Sequence, residues 1–243
     1  CGGGAHPIGW LGGILAGGLH PDRGRGSGAG NARVAAGQLA GASTFSGNTN
    51  DIVVISGVID DSEIRMAVVW PNIDGADYLV RAPIVVTGEE ATGHLTITEG
   101  ATVAFDQNAG LVAYRGGILT ARGTADLPII FTGKENTAGY WKGLQFNTTN
   151  STNNVLEHAT IEYAGGPGWS SSYSGASPAS ILLNSWTGPV RVSINDVIIR
   201  GSGSVGLHLY ENAGDINIEG CSNVTFEDNA GLDIEPADAG CPR

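Results

Sequence analysis

The sequence predicts an all-β fold: a parallel β-helix, a solenoid with coils of about 20–25 residues, preceded by a Gly-rich N-terminal arm. Three observations carry that expectation. Val, Ile and Thr are set among Gly, Asn, Asp and Ser, a mixture suited to strands and tight turns rather than to helices. From residue 51 onward short apolar runs recur, each closed by Gly, Asn or Asp, which marks short strands at regular spacing. Near the C-terminus the pattern repeats: SINDVIIRGSGSVGLHLYENAG (193–214) answers EGCSNVTFEDNAGLDIEPADAG (219–240).

Residues 1–50 stand apart. They are rich in Gly and Ala with no sustained period. Such a stretch cannot by itself bury enough surface to offset its ordering entropy. Its apolar residues Trp10, Leu11, Ile14, Leu15 and Leu19 are therefore the anchors by which it packs on its own body, a neighbouring subunit or another partner. The other reading is a tether to the cell surface.

Residues 51–94 read as strands capping the solenoid, with runs at 51–59, 64–70, 78–87 and 94–97. Residues 95–243 read as the solenoid proper and its tail. Runs at 102–105, 111–114, 118–121, 129–132 and 143–146 come first. Those at 155–163, 181–183, 190–194, 197–200, 206–210, 215–218, 224–227 and 232–234 follow. One repeat unit of three short strands cannot close a core alone, but stacked units share one. The alignment places Val197, Ile199, Leu207 and Leu209 inward, above Val224, Phe226, Leu232 and Ile234. A weaker earlier copy runs from 159–163 to 180–183. At roughly 4.8 Å per coil, about six coils over 95–235 give a rod near 29 Å long.

The stretch 78–166 resembles the bacterial right-handed parallel β-helix surface proteins, often lipoproteins or secreted repeats. The residues that carry the likeness are Tyr78-Leu79-Val80, the run from Leu95 to Val103, and the run from Leu119 to Ala125. They continue through Pro128–Gly133, Tyr140–Leu144 and Leu156–Tyr163. The resemblance implies a right-handed coil and an exported protein, in a family mostly without a demonstrated catalytic site.

Charge narrows the partners. Lys+Arg number 12 against 24 Asp+Glu, a formal net charge of −12. Nucleic-acid binding needs a basic stripe, and none exists. Attraction of basic residues to a membrane surface is excluded on the same ground. Lys134 and Lys142 are the only lysines, so lysine chemistry has little raw material. No run of eighteen apolar residues occurs that could span a bilayer. The opening Cys1-Gly2-Gly3-Gly4 is what remains when a signal peptide is cut before a cysteine. It resembles a bacterial lipoprotein, whose cysteine carries the lipid; an end cut for another reason is the alternative. Membrane contact is expected only through such an anchor on Cys1. Cys221 and Cys241 read as one disulfide of an exported protein, worth roughly 3 kcal/mol by loop closure. Neither has the company a zinc site needs. The expected location is extracellular or on the outer cell surface.

Catalytic equipment is sparse. A glycoside hydrolase needs two carboxylates about 5–9.5 Å apart, and Asp61 with Glu63, or Glu157 beside His158, are ordinary surface pairs. A lyase needs a basic residue beside clustered acidic calcium ligands; Arg191 and Arg200 near Asp196 lack the cluster. A structural calcium is conceivable at Asp60, Asp61 and Glu63, or at Asp74 with Asp77, against a default of solvated acidic turns. His6, His20, His94, His158 and His208 are too widely spaced to suggest a metal site. The Gly-x-Gly-x-x-Gly at 201–206 opens no helix, which argues against a nucleotide site. Asn147, Asn150 and Asn223 fit the glycosylation acceptor pattern. Trp169 and Tyr173, in the Ser/Gly loop 165–180, read either as a sugar- or protein-contact surface or as a protrusion packed on the next coil.

No catalytic residue, metal or cofactor is therefore assigned. The expected function is that of a non-catalytic extracellular or cell-surface structural protein, not an enzyme. It self-assembles into a filament through its N-terminal arm and solenoid ends, with further copies of itself as partners. The alternatives are a monomeric lipoprotein displaying a surface for polysaccharide or another surface protein, and a polysaccharide lyase or hydrolase.

Overall fold

The computed structural model describes residues 51–55, 63–168, 178–210 and 215–237. Every element among them is a strand. The first strands are β1 (Ile52–Ile55), β2 (Glu63–Ile64), β3 (Ala67–Trp70), β4 (Asp77–Val80), β5 (Ile84–Thr87), β6 (His94–Ile97), β7 (Thr102–Phe105) and β8 (Leu111–Tyr114). Next come β9 (Ile118–Arg122), β10 (Ile129–Gly133), β11 (Leu144–Asn147), β12 (Asn150–Glu162) and β13 (Ala179–Asn184). The chain finishes with β14 (Val190–Arg200), β15 (Val205–Tyr210), β16 (Ile216–Glu227) and β17 (Ile234–Glu235).

All the paired strands are parallel and lie in two curled sheets, and the chain returns to each face once per circuit. One face holds β3, β6 and β9, continued by the first halves of β12, β14 and β16. A second holds β1, β4, β7 and β10, continued by the second halves of the same three long strands. The third face is a separate sheet in the order β17-β15-β13-β11-β8-β5-β2. Strands β1 to β5, expected to cap the solenoid, pair within these same sheets.

The local sequence explains how one strand serves two faces. In β14 the alternation buries Val190, Val192 and Ile194, then skips to Val197 and Ile199. The corner between is Asp196, whose φ of +52° turns the chain without ending the ladder. His158 on β12 and Asn223 on β16 take the same left-handed conformation at +45° and +53°. Registers of the flanking residues place all three in one column. Asn, Asp and His are the non-glycine residues that most readily tolerate this region. The sequence pattern reads β14 and β16 each as two strands, and β12 as one run at 155–163.

The interior is a set of ladders. On the third face Ile84, Leu111, Leu144, Ile181, Leu207 and Ile234 stack one above another, all buried. On the second, Val103, Phe131, Ile161 and Ile199 do the same. Trp141 stacks on Phe105 with ring centroids 4.1 Å apart and gives its Nε1–H to the Glu162 carbonyl at 2.9 Å. Tyr78 stacks on Trp70 and donates to the Pro71 carbonyl, and burial pushes its phenol well above the usual range.

Two sequence expectations need correction. Coil length varies more than the expected 20–25 residues. Early steps fit it, 22 from Glu63 to Val85 and 25 from Tyr78 to Val103. Ile181, however, pairs with Leu207, 26 residues on, and Ala159 with Val197, 38 residues on. The surplus lies in connections such as 134–143 and 163–178, which lengthen a circuit without altering its strands. The C-terminal repeat is also offset. Val197 sits over Val224 and Ile199 over Phe226 as expected, but Leu207 pairs with Ile234 rather than Leu232. A shift of two keeps the same face inward, so alternation alone could not detect it. Leu232 is left 54% exposed.

Candidate functional site

The outer side of the third face differs from the outer sides of the other two. Outward positions on the first face are polar or exposed except at Val155: Val69 is 43% exposed, and Thr96 and Thr120 are half-buried. On the second face Thr102, Ile130 and Thr160 are likewise half-buried, and Leu79 is an isolated buried position. On the third face the column Val85–Val112–Gln145–Leu182–His208 points outward and yet is buried throughout. Val112 and Gln145 have no exposed surface at all. Val85, Val112, Ala179, Leu182 and Val205 form a second hydrophobic cluster, separate from the interior core, with Tyr114 and Tyr210 packed against it.

Beside this column runs a polar one. Thr87, Tyr114, Asn147, Asn184 and Tyr210 occupy successive strands in register, and Thr87, Asn147 and Asn184 are buried. Arg115 lies over the Tyr114 ring at 5.1 Å. Trp186, in the turn after β13, is 62% exposed and stacks on Tyr210 with centroids 6.5 Å apart. Its backbone N–H is held by the Asn184 side-chain oxygen at 3.0 Å.

Sequence reasoning did not single out this surface, although the signal was present. Strands β3, β6 and β9 alternate apolar with polar or exposed residues. IVVT, LVAY and ILLN on β5, β8 and β13 do not alternate, and a continuous apolar run is the mark of a strand covered on both sides.

The residues considered for chemistry are occupied elsewhere. Glu63 pairs with Arg65, and Glu157 with Arg122 at 2.8 Å. Arg191 faces Glu219 at 3.3 Å, and Arg200 holds Glu162 at 2.6 Å. Asp196 accepts from the Asn223 amide at 2.9 Å and lies 3.9 Å from His158. Apart from Glu63–Arg65, these pairs run from one circuit to the next. Asp74 and Asp77 line an open concavity formed by Asn72 to Asp77. Asp60 and Asp61 lie outside the described residues. Among the described residues no group of three or more His, Cys, Asp or Glu could hold a metal ion.

His94 is half-buried, its Nε2 2.9 Å from Thr120 Oγ1. Thr120 gives its own proton to the Asn153 carbonyl at 2.6 Å, so the imidazole N–H is the donor to it. Burial lowers the His94 pKa below its ordinary 6.5. His208 lies 4.0 Å from Glu235. The glycines at 201–206 have a packing role: a Cβ on Gly203 would lie 2.5 Å from the Gly139 Cα, and one on Gly206 2.6 Å from the Asp233 oxygen. Asn147 is buried, whereas Asn150 and Asn223 are exposed.

No family model, no curated protein and no solved structure matches this chain. Function must therefore be read from the surface itself. Cys221 is disulfide-bonded, and the other two cysteines, Cys1 and Cys241, lie outside the described residues. So do the arm residues Trp10, Leu11, Ile14, Leu15 and Leu19, and the loop aromatics Trp169 and Tyr173.

Proposed function

We propose that this chain is a right-handed β-helix and a non-catalytic structural protein of the cell surface or extracellular space, which assembles end to end into a filament. Right-handed winding follows from the chirality of parallel strand connections, which favour that hand in about 98% of cases. The observation that supports assembly is the difference between the two ends of the stack. At the start, the interior row is closed: Val53, Ile55, Ile64 and Trp70 are at most 2% exposed. On β16 the same row opens in part, with Val224 still buried. Ile216, Ile218 and Phe226 occupy the positions of Val190, Val192 and Ile199 but are only half-buried, and Leu232 is exposed beside them.

An end with open interior positions and an unshared strand edge favours addition of another strand or another copy. A contact between unlike ends does not close on itself, and so extends into a fibre. Export, a lipid on Cys1 and a Cys221–Cys241 disulfide belong to the same reading, since such a stack works outside the cell. The pairing of Glu157, Arg191, Arg200 and Asp196 across circuits counts against the lyase or hydrolase.

The test is light scattering after size exclusion, with electron microscopy, on the full chain and on a Phe226→Asp variant. Ordered polymers from the parent and monomers from the variant are expected. Monomers from both would support display of a binding surface by a single copy, and would overturn assembly.

A further inference from the structure

The outer column of the third face is buried, yet among the described residues no strand or sheet lies outside it. Its apolar members form their own cluster, and Tyr114, Gln145, Asn147, Asn184, Ser185 and Tyr210 each engage a further partner. We infer that this face is the seat of the N-terminal segment, residues 1–50. The inference deepens the assembly reading, because a segment seated on its own body can exchange onto the next copy through the same contacts.

Length and position favour that occupant. Asp51 enters the stack at the β1 end, one circuit before Val85, where the column begins. From Val85 to His208 is four strand spacings, about 19 Å, which roughly six extended residues cross. Fifty residues are ample. The nine residues 169–177, by contrast, join Gly168 to Pro178 directly before β13, three strand spacings from β5. Reaching Val85 and coming back would take about 29 Å, nearly their full extended length.

Chemistry agrees. A Gly- and Ala-rich backbone can lie close against a sheet because it has little side chain to hold it off. Its peptide groups then need partners when water is excluded, and the column of Tyr114, Asn147, Asn184 and Tyr210 offers amides and hydroxyls at one per strand. Trp10, Leu11, Ile14 and Leu15 supply apolar surface to cover Val85, Val112 and Leu182.

The experiment is thiol labelling of the full chain carrying Val112→Cys, and separately Val85→Cys, with N-ethylmaleimide, read by peptide mass. Each is compared with and without Trp10→Ser, Leu11→Ser, Ile14→Ser and Leu15→Ser. Slow labelling with the native segment, accelerating about tenfold or more in the Ser background, is expected for a cover that opens locally. An interior Val103→Cys must stay slow in both, which separates uncovering from unfolding. If the fourfold variant unfolds, the Trp10→Ser, Leu11→Ser pair carries the comparison. Equal rates in the two backgrounds, slow or fast, would assign the cover elsewhere and overturn the inference. Light scattering on the same samples separates the two claims. Polymers with equal rates leave assembly standing without this seat; monomers with accelerated labelling leave the seat standing without assembly.

Discussion

Glu162 and Arg200 form the tightest cross-circuit clasp on the second face. Arg200 reaches Glu162 Oε2 with Nη2 at 2.6 Å and Nε at 2.8 Å, while Thr132 donates to Oε1 at 2.9 Å from the circuit on the other side. One carboxylate thus ties three consecutive circuits, and its hydrogen bond holds the Arg200 guanidinium above its ordinary pKa. The Glu162 side chain is only 12% exposed, so the clasp escapes much of the screening that weakens surface pairs. Glu162→Ala is expected to lose about 1–2 kcal/mol of stability in urea unfolding. Arg200→Met should lose less, because it leaves the Thr132 bond in place. A Thr132→Val and Arg200→Met cycle with full additivity would show that the carboxylate does not couple the two circuits.

Asn154 makes the corresponding tie inside the stack. It is fully buried, accepts from the Leu119 N–H at 3.1 Å, and donates to Thr149 Oγ1 at 3.0 Å and to the Arg191 carbonyl at 3.1 Å. It lies where the β12–β14 register shifts between residues 150 and 155. Asn154→Leu keeps the volume but removes three hydrogen bonds at about 1 kcal/mol each, and is expected to cost about 3 kcal/mol. Asn154→Asp should be milder at acid pH, where the protonated carboxyl can still donate. Guanidinium titrations at two pH values check both.

The left-handed corners give a prediction about backbone rather than charge. Asp196 at φ +52° sits between His158 and Asn223 in the column. Asp196→Asn is expected to be nearly neutral, since Asn accepts that conformation and an exposed ion pair contributes little. Asp196→Val should lose roughly 2 kcal/mol through strain at a β-branched residue. Equal losses in the two variants would mean that the carboxylate, not the corner, matters.

His94 sets a pH dependence. Its folded pKa lies below its ordinary 6.5 because burial disfavours the imidazolium. The unfolded chain then binds more protons in the interval between the two values, so stability rises with pH there. The contribution is complete above about 6.5 and is lost as pH falls toward the folded pKa. His94→Gln, which keeps a donor for Thr120, should flatten the unfolding midpoint against pH across that interval while leaving the other carboxylate-driven losses at lower pH.

Much of this fold was legible because its strands obey a period of two. Val197 over Val224 and Ile199 over Phe226 follow from aligning two segments of one sequence. Position along the stack was less legible, since a slip of two residues preserves the buried face. The 26-residue step at Ile181 and the 38-residue step at Ala159 share one sheet geometry, so earlier copies of the repeat are hidden by their connections. The corners were hidden as well: Asp196 reads as a strand break, and His158 lies unmarked inside the run 155–163. For the candidate surface, the unalternating IVVT, LVAY and ILLN were the available sign, but a short apolar run alone does not say which side is covered.

Gly117 offers the sharpest test that circuits stack as tightly as described. A Cβ there would lie 1.9 Å from the Val86 carbonyl oxygen and 2.5 Å from its carbon, both backbone atoms that cannot swing aside. Gly117 also donates its N–H to the Tyr114 carbonyl at 2.9 Å, and its own carbonyl accepts from Thr149 at 2.7 Å. Moving away from Val86 would therefore strain bonds to its own turn and to the next circuit. Gly117→Ala is expected to destabilise by about 2–3 kcal/mol through overpacking, despite the lower entropy of the unfolded chain. Gly116, the neighbour at φ +84°, meets only the Gly88 Cα at 3.8 Å. Gly116→Ala should lose about 1 kcal/mol, from its left-handed backbone alone. Thermal unfolding of the pair, with the larger drop at 117, would confirm close approach of circuits; the reverse order would mean that the turn, not the contact, sets the requirement for glycine.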